Sequence, residues 1–415
     1  MPLLDPEGSA TKSLPEVHAG FIPLLDCAPF VIARELGFDV AHGLSLKLHR
    51  EVSWANIRDK LDLGVFDCAH MLAPMPIAAT LGLGRATEPI IVPMALSLNG
   101  NAITVSLGLH EEMRLADAAA TAAGGTRAAH ALAAVVRARQ REGREPLTLG
   151  MVYPFSAHNY DLRYWLAGGG VDPDNDVNLI VVPPPLIVQS LASGRVDGFC
   201  VGEPWNSLAV HEGLGAIIAT KSELWARSPE KVVGVREGWA KRNPVLLERL
   251  IRALVTAATW LVDPDNRRKA AGILARPEYV GVASEILMRP LSGDMRLGLE
   301  RDAHLDEMVL FQRGDATFPW RSHAIWFLTQ MIRWGHVREP FNIAEIAERV
   351  YRPDLYRKAV ASLGIVTPEA DFKREGSQAF FGSEEFDPAA PLAYLARLEI
   401  RAPAAELDKF AMLND

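Results

Sequence analysis

Hydrophobic and polar positions follow two alternating periods from residue 17 onward. Runs such as VHAGFIPL and LSLKLH are apolar or alternate with period 2, which is typical of β-strands. Runs such as APFVIAREL and SWANIRDKLDLG have apolar positions at helical spacing and end near a glycine, so they predict amphipathic helices. The strands and helices follow one another in βαβα order, which indicates a parallel sheet with helices on its faces.

The second part of the chain repeats this order. LTLGMVY, VNLIVVPPP and VDGFCVGEPW predict strands, and NYDLRYWLAGGG and LIVQSLASG predict helices. A comparison of LDLGVFDCAHMLAP with LASGRVDGFCVGEP places identical residues at one constant offset, and a further glycine pair shares it. These pairs are Leu61/Leu191, Gly64/Gly194, Asp67/Asp197, Pro74/Pro204 and Gly20/Gly150. The repetition favours two lobes of like topology.

The predicted fold class is therefore α/β, with two lobes and a ligand cleft between them. We expect a flexible N-terminal segment (1–16), a discontinuous lobe I (17–108 plus about 232–345), a lobe II (109–231) and a C-terminal helical or irregular extension (346–415) that packs on lobe I. An Ala-rich helical segment broken at Gly124–Gly125 leads into lobe II. Loops at the carboxyl ends of parallel strands would face the cleft, and one lobe would close on the other by a hinge motion.

Composition and charge narrow the class of partner. The chain has 415 residues, 49% of them hydrophobic and 23% charged, with a formal net charge of −8. An acidic balance argues against direct nucleic-acid binding through a basic face. No run of about 18 apolar residues predicts a membrane span, and the N-terminal sequence lacks the basic and apolar regions of a signal peptide. We therefore expect a cytoplasmic protein without a membrane partner.

Motifs that carry catalysis or bind cofactors are not found in the sequence. It contains no P-loop, no GxGxxG after a strand, no HExxH and no GxSxG. Cys27, Cys68 and Cys200 lie far apart without a CxxC pair, so neither a disulfide nor a zinc site is expected. The prediction is a protein with no catalytic residue, no cofactor and no metal.

Five residues at predicted helix starts or strand starts are candidate ligand contacts: Trp54, Asn101, His158, Asn159 and Lys231. Together they offer N–H donors and one firm positive charge, and the two helix starts add free backbone N–H groups and a favourable dipole. That combination suits a small oxyanion.

Other roles remain open for these residues. A tryptophan at a helix start often serves packing alone, and a single lysine such as Lys231 is often a solvated surface charge. His158 could cap a helix, hold a ligand or do both. Composition and spacing do not by themselves bring the five residues together.

Several motifs together resemble one family. DCAPFVIARELG, SWANIRDKLDLG, AHMLAPMP, LNGNAITV, LRYWLAGGG, VVPPP, FCVGEPWN and SHAIWFLT are similar to the nitrate- and bicarbonate-binding proteins of ABC transporters, the NrtA/CmpA family. The resemblance runs from about residue 20 into the tail, where FFGSEEFDPAAPLAYLARLEI also fits. It implies a type II periplasmic-binding-protein fold shaped as a C-clamp, without catalysis.

The resemblance also implies a nitrate or nitrite site formed by Trp54, Asn101, His158, Asn159 and Lys231. Two positions depart from the family pattern: Asn101 stands where a glutamine is usual, and Asn159 stands where a small residue is expected. The resemblance implies that Lys231 favours nitrate or nitrite over bicarbonate, because bicarbonate-type members of the family have a carboxylate and a bound calcium instead of that lysine.

Transport members of the family carry a secretory or lipoprotein signal and a linker, and the sequence shows neither, so it resembles the cytoplasmic NasS-type nitrate/nitrite sensors. The resemblance implies a NasT-type RNA-binding antiterminator as partner, which the sensor releases when the anion closes the cleft, so that nitrate-assimilation genes are switched on. One alternative is the substrate-binding protein of a nitrate, or less readily a bicarbonate, ABC transporter. A remote alternative is an enzyme similar to thiamine-pyrimidine synthases, against which the scattered cysteines argue.

Overall fold

The computed structural model describes residues 13–85, 88–299, 301–375, 385–401 and 404–414, so most of the predicted segment 1–16 lies outside the described residues. In chain order the strands are β1 (Glu16–Phe21), β2 (Ser45–Arg50), β3 (Cys68–Leu72), β4 (Ile90–Asn99), β5 (Asn101–Ser106), β6 (Thr148–Met151), β7 (Asn178–Val181), β8 (Gly198–Gly202), β9 (Gly215–Thr220), β10 (Pro229–Arg236), β11 (Asp294–Arg296), β12 (Asp302–His304) and β13 (Val309–Leu310).

Helices cover the faces of the sheets and form most of the C-terminal part. They are α1 (Ala28–Glu35), α2 (Phe38–Ala41), α3 (Trp54–Asp62), α4 (Met75–Thr80), α5 (Leu107–Ala116), α6 (Ala118–Ala123), α7 (Gly125–Arg141), α8 (Ala157–Gly168), α9 (Ile187–Ala192), α10 (Trp205–His211), α11 (Lys221–Leu224), α12 (Glu237–Arg242), α13 (Pro244–Trp260), α14 (Pro264–Leu274), α15 (Ser284–Ser292), α16 (Arg321–Arg333), α17 (Ile343–Val350), α18 (Pro353–Val360), α19 (Pro391–Ala396) and α20 (Ala404–Asn414). Within the described ranges, no helix combines the length and the apolar character that a bilayer crossing requires.

Two sheets form the centres of two lobes, as the sequence predicts. The first has the order β13-β4-β10-β3-β1-β2 and the second the order β7-β6-β8-β5-β9. In each sheet three strands run parallel, and the strand that arrives from the other lobe pairs antiparallel with its neighbours: β10 in the first sheet and β5 in the second. The predicted parallel sheets are therefore mixed, a common form when a strand enters from outside the βαβ unit.

The internal repeat extends to side-chain hydrogen bonds. Asp67 accepts a hydrogen bond from the His18 amide at 2.9 Å, and Asp197 accepts the equivalent bond from the Thr148 amide at 2.8 Å. In each lobe the amide of the aspartate also donates to the carbonyl of that same partner. Each aspartate thus fixes the start of one strand against a neighbouring parallel strand, β3 against β1 and β8 against β6, which explains why this pair is identical.

Two crossings of the chain between the lobes lie side by side and are bonded to each other. The first crossing is at Gly100, between β4 and β5, and the second runs from the end of β9 to β10. Asn99 has a φ of 61°. Its side-chain oxygen accepts from the Ser228 amide at 2.8 Å, and its own amide donates to the Ser228 carbonyl at 2.9 Å. The two crossings therefore form a single connected hinge.

The observed crossings shift the predicted lobe limits. Strand β5 belongs to the second sheet, although the sequence pattern placed residues up to 108 in lobe I, and β10 begins three residues before the predicted return at about 232. The apolar run of β4 and β5 is interrupted only at Gly100, and periodicity does not indicate which sheet a strand joins.

The C-terminal part contacts both lobes. Residue Tyr351 pairs with Val92 of β4 in lobe I, in line with the predicted packing. On the other side, the Tyr394 hydroxyl lies 3.3 Å from that of Tyr164 in α8 of lobe II. The extension therefore reaches lobe II as well as lobe I, which the sequence pattern did not predict; residues 376–384 of it lie outside the described ranges.

Candidate functional site

The two lobes meet in a closed cleft beside the hinge. Backbone and side-chain bonds cross it at several points. These are the Leu25 amide to the Glu203 carbonyl at 2.8 Å, the Trp205 indole to the Pro23 carbonyl at 3.2 Å, and the Arg58 guanidinium to the Tyr153 hydroxyl at 3.0 Å. Between them lies a cluster of polar side chains that are almost fully buried.

Trp54 enters this cluster from lobe I. Its helix α3 begins where predicted, because the Ser53 hydroxyl accepts a hydrogen bond from the Asn56 amide. The indole is 1% exposed, and its Nε1 has no hydrogen-bond partner among the described residues. The ring lies under the Lys231 ammonium, 5.7 Å from its centroid. An unpaired buried N–H is uncommon in proteins, so the Trp54 indole is a candidate donor to a ligand.

Lys231 is fully buried, so it is not the solvated surface charge that remained open from sequence. The sequence predicted a position just before a strand, whereas Lys231 lies inside β10. Its ammonium is 2.9 Å from Asp26 and 2.5 Å from its neighbour Glu230. Asp26 in turn lies 2.9 Å from the His70 imidazole, which packs edge-on against Trp54. Lys231 therefore holds its position through two carboxylates of lobe I.

Asn101 opens β5 and contributes from lobe II. Its side-chain nitrogen donates to Glu230 at 2.5 Å and to Asp161 at 3.3 Å, while its Oδ1 has no partner within the described part of the chain. Gly202 leaves room beside it: an added Cβ would stand 3.4 Å from Asn101 Oδ1 and 3.6 Å from His158 Nε2. Asn101, His158 and Gly202 therefore line one small space.

His158 lies in the first turn of α8, two residues after the N-cap Ser156. It is fully buried, and neither ring nitrogen has a hydrogen-bond partner among the described side chains and backbone groups. Its Nε2 lies 3.5 Å from Glu230 Oε1, too far for a good hydrogen bond. Burial lowers the pKa of the His158 imidazole to about 3. The ring is therefore neutral and has one N–H to donate.

Asn159 is buried next to His158 but does not join the cluster. Its side-chain nitrogen donates to the Pro154 carbonyl at 2.7 Å, and its oxygen accepts from the Arg163 guanidinium at 3.1 Å. Its backbone N–H donates to the Ser156 hydroxyl at 2.9 Å. The side-chain amide of Asn159 fixes the loop before α8 in this structure, and its contribution to an anion site stays a prediction.

An Asn159→Ala variant is expected to lose stability rather than ligand contacts. Removing two buried hydrogen bonds should lower the free energy of unfolding by about 1–3 kcal/mol, measured by urea denaturation. The matched control is Asn175→Ala, since Asn175 is exposed and bonded only to nearby Asp172. If Asn159→Ala weakened anion binding strongly at unchanged stability, the side chain would belong to the site after all.

The structure adds charged groups that sequence reasoning missed. Lys221 at the start of α11 is fully buried and lies 2.5 Å from Glu230 and 2.8 Å from Asp161. Burial opposes its charge, yet the two carboxylates outweigh it and raise the pKa of Lys221. Burial raises the pKa of Asp161 to about 6. No local pattern marks Lys221 as buried, because it stands among polar residues and resembles a surface position in the sequence.

Glu230 is at the centre of these contacts. It lies in lobe I, and its carboxylate contacts Lys221, Asn101 and His158 of lobe II as well as Lys231. Burial opposes its ionisation, but the ammonium groups of Lys221 and Lys231 outweigh burial and hold the pKa of Glu230 below its ordinary value. The site thus contains carboxylates beside its N–H donors, which the predicted set of donors and one positive charge did not include.

This arrangement can bind a small anion but offers little for catalysis. The indole N–H of Trp54 and one N–H of His158 are unpaired donors, and Lys231 supplies charge. The thiol of Cys27 is buried, with its pKa raised by burial and by Asp26. Within the described residues, His, Cys, Asp and Glu side chains form no group that could hold a metal ion.

Comparisons with known proteins agree with this architecture. The sequence profile of the NMT1-like family matches residues 10–275. The chain is 35% identical over 410 residues to the nitrate/nitrite binding protein NrtA of Synechococcus elongatus, covering 96% of this chain and 90% of that protein. It is 41% identical over 388 residues to the nitrate import ATP-binding protein NrtC of Synechocystis sp., covering 92% of this chain but 55% of that longer protein.

A solved structure extends the similarity to the fold. The periplasmic nitrate-binding protein NrtA from Synechocystis superimposes with a TM-score of 0.86 at 31% identity, covering 94% of this chain and 99% of that one. The two-lobed fold of periplasmic binding proteins is thereby confirmed. The profile matches more than half of the chain, and the 35% identity with NrtA extends over 96% of it. The chain therefore belongs to the NMT1-like family and to the NrtA/CmpA family.

Proposed function

We propose that this chain binds nitrate or nitrite in the interlobe cleft and serves as the ligand-binding component of an anion import system. The observation that carries the proposal is the meeting of Trp54, Asn101, His158 and Lys231, from four distant parts of the sequence, in one buried cluster. The relatives described above are named for nitrate or nitrite binding or nitrate import, which supports the same ligand.

The physical basis is desolvated hydrogen bonding to a small anion. A planar oxyanion accepts several hydrogen bonds and donates none, so it matches the unpaired N–H groups of Trp54 and His158 and the ammonium of Lys231. Such bonds are strongest where water is excluded, as in this closed cleft. Bicarbonate also carries an O–H donor, for which Glu230 is an available acceptor, so bicarbonate is the anion against which selectivity must be measured.

Isothermal titration calorimetry of the purified chain with nitrate, nitrite, bicarbonate and sulfate tests the proposal. We expect saturable binding of nitrate or nitrite, and a Trp54→Phe variant that retains the ring but lacks the N–H should bind about 10–100-fold more weakly. Trp239→Phe is the matched control, because Trp239 is buried in α12 beyond the opposite end of β10. Absence of nitrate and nitrite binding would refute the proposed ligand.

The sensor hypothesis remains a separate prediction. It adds a cytoplasmic location and a NasT-type antiterminator released on anion binding, and the relatives described above are named for import rather than regulation. Gel filtration of the chain with the antiterminator, with and without nitrate, tests it: persistent association under both conditions excludes release.

A further inference from the structure

The carboxylate of Glu230 already engages the groups that the proposed anion needs. Its Oε1 lies 2.5 Å from the Lys231 ammonium and 3.5 Å from His158 Nε2. Its Oε2 lies 2.5 Å from both the Lys221 ammonium and the Asn101 side-chain nitrogen. A carboxylate is itself a planar oxyanion, so Glu230 presents to this ring of donors the same chemistry as a nitrate or nitrite ion.

Glu230 is also the group that joins the lobes within the cluster. It belongs to β10 of lobe I, while Lys221, Asn101 and His158 belong to lobe II. The remaining pairs of the cluster stay within their own lobes: Asp26 with Lys231 and His70 in lobe I, and Asp161 with Lys221 in lobe II. The bridging role expected of a ligand in a closing clamp is therefore performed here by a side chain.

Charge makes the conflict between Glu230 and an anion unavoidable. The cluster contains two ammonium groups, on Lys221 and Lys231, and three carboxyl groups, on Asp26, Asp161 and Glu230. His70 and His158 add no charge, since burial lowers the pKa of both rings. An extra anion near Lys231 and a Glu230 carboxylate in its present position would repel each other in a medium of low dielectric constant.

We propose that Glu230 is an internal competitor that sets the affinity and the anion specificity of the cleft. An entering anion takes Lys231 from Oε1 and lies between Oε1 and the unpaired His158 ring, while Lys221 and Asn101 retain Oε2. The position of Glu230 disfavours dianions such as sulfate, because every added charge faces the same three carboxyl groups. This inference rests on the proposed binding of nitrate or nitrite in the cleft. It assigns a role to Glu230, which is not among the four candidate residues that meet there.

Three variants separate competition from other roles of Glu230, each titrated with nitrate by calorimetry beside the unchanged chain. Glu230→Gln removes the charge and keeps the shape, so nitrate should bind about tenfold more tightly. Glu230→Asp keeps the charge but withdraws the carboxylate by one methylene from Lys231 and His158, and it should also bind nitrate more tightly. Asp161→Asn removes a charge that contacts Lys221 and Asn101 only, so its gain should be clearly smaller.

The variants should fold, because Asp26 still pairs with Lys231 and Asp161 still pairs with Lys221; urea denaturation checks this. Weaker nitrate binding by Glu230→Gln and Glu230→Asp would show that Glu230 holds the site together, and equal gains in Glu230→Gln and Asp161→Asn would show a general effect of charge. Either result would overturn the proposal that Glu230 competes with the anion. Failure of the proposed function looks different, since neither the unchanged chain nor any variant would then bind nitrate.

Discussion

A Lys231→Met variant is expected to lose nitrate binding by more than about a hundredfold and to unfold more easily by about 3–5 kcal/mol. Methionine fills a similar volume but removes the ammonium from Asp26 and Glu230. Glu230 retains Lys221, whereas Asp26 retains only a His70 imidazole that burial keeps neutral. A fully buried carboxylate without a cation is costly, so stability falls together with binding.

A double variant separates the two effects of Lys231. Asp26→Asn combined with Lys231→Met removes the unpaired carboxylate, so it should recover much of the lost stability in urea denaturation while calorimetry still detects no nitrate binding. Lys241→Met is the matched control: the Lys241 side chain is 71% exposed and pairs with Glu237 on the surface of α12. Unchanged nitrate affinity in the double variant would remove Lys231 from the site.

Features governed by local sequence could be predicted well. Ser53 caps α3 as its position before a helical run suggests, whereas α8 begins at Ala157, two residues before the predicted run NYDLRYWLAGGG. These helix starts place Trp54 and His158 at the cleft. The repeated aspartates occupy equivalent positions in the two lobes. Such signals depend on a few neighbouring residues, so one sequence is enough to find them.

Features governed by contacts between distant segments could not be predicted. The antiparallel pairing of β5 and β10 depends on which lobe each strand enters, and the apolar run across Gly100 does not contain that information. Lys221 and Glu230 resemble surface residues in the sequence, and their burial follows only from the meeting of the two crossings. The side-chain contacts of Asn159 were equally hidden, because its position matches the family site while its side chain bonds to Pro154 and Arg163.

Acid is expected to destabilise the protein partly through His158, and a His158→Gln variant should lack that component. Burial is the largest cause that lowers the pKa of the His158 ring from its ordinary value of 6.5 to about 3. The nearby Lys231 and Lys221 also lower this pKa, whereas Glu230 raises it. Between these values the unfolded chain binds a proton that the folded chain does not. The stabilising contribution is therefore complete above pH 6.5 and declines as the pH falls toward 3.

By pH 4.5 this decline amounts to about 2–3 kcal/mol, from about 1.4 kcal/mol for each pH unit below 6.5. Urea denaturation of both proteins at pH 7.5, 6 and 4.5 measures it as the change in their stability difference, in which the other buried histidines cancel. His211→Gln, at an exposed position, should follow the unchanged chain. A pH-independent difference for His158→Gln would contradict the buried neutral ring. Because a bound anion favours the protonated imidazole, nitrate should shift the acid loss of stability to lower pH only where His158 is present.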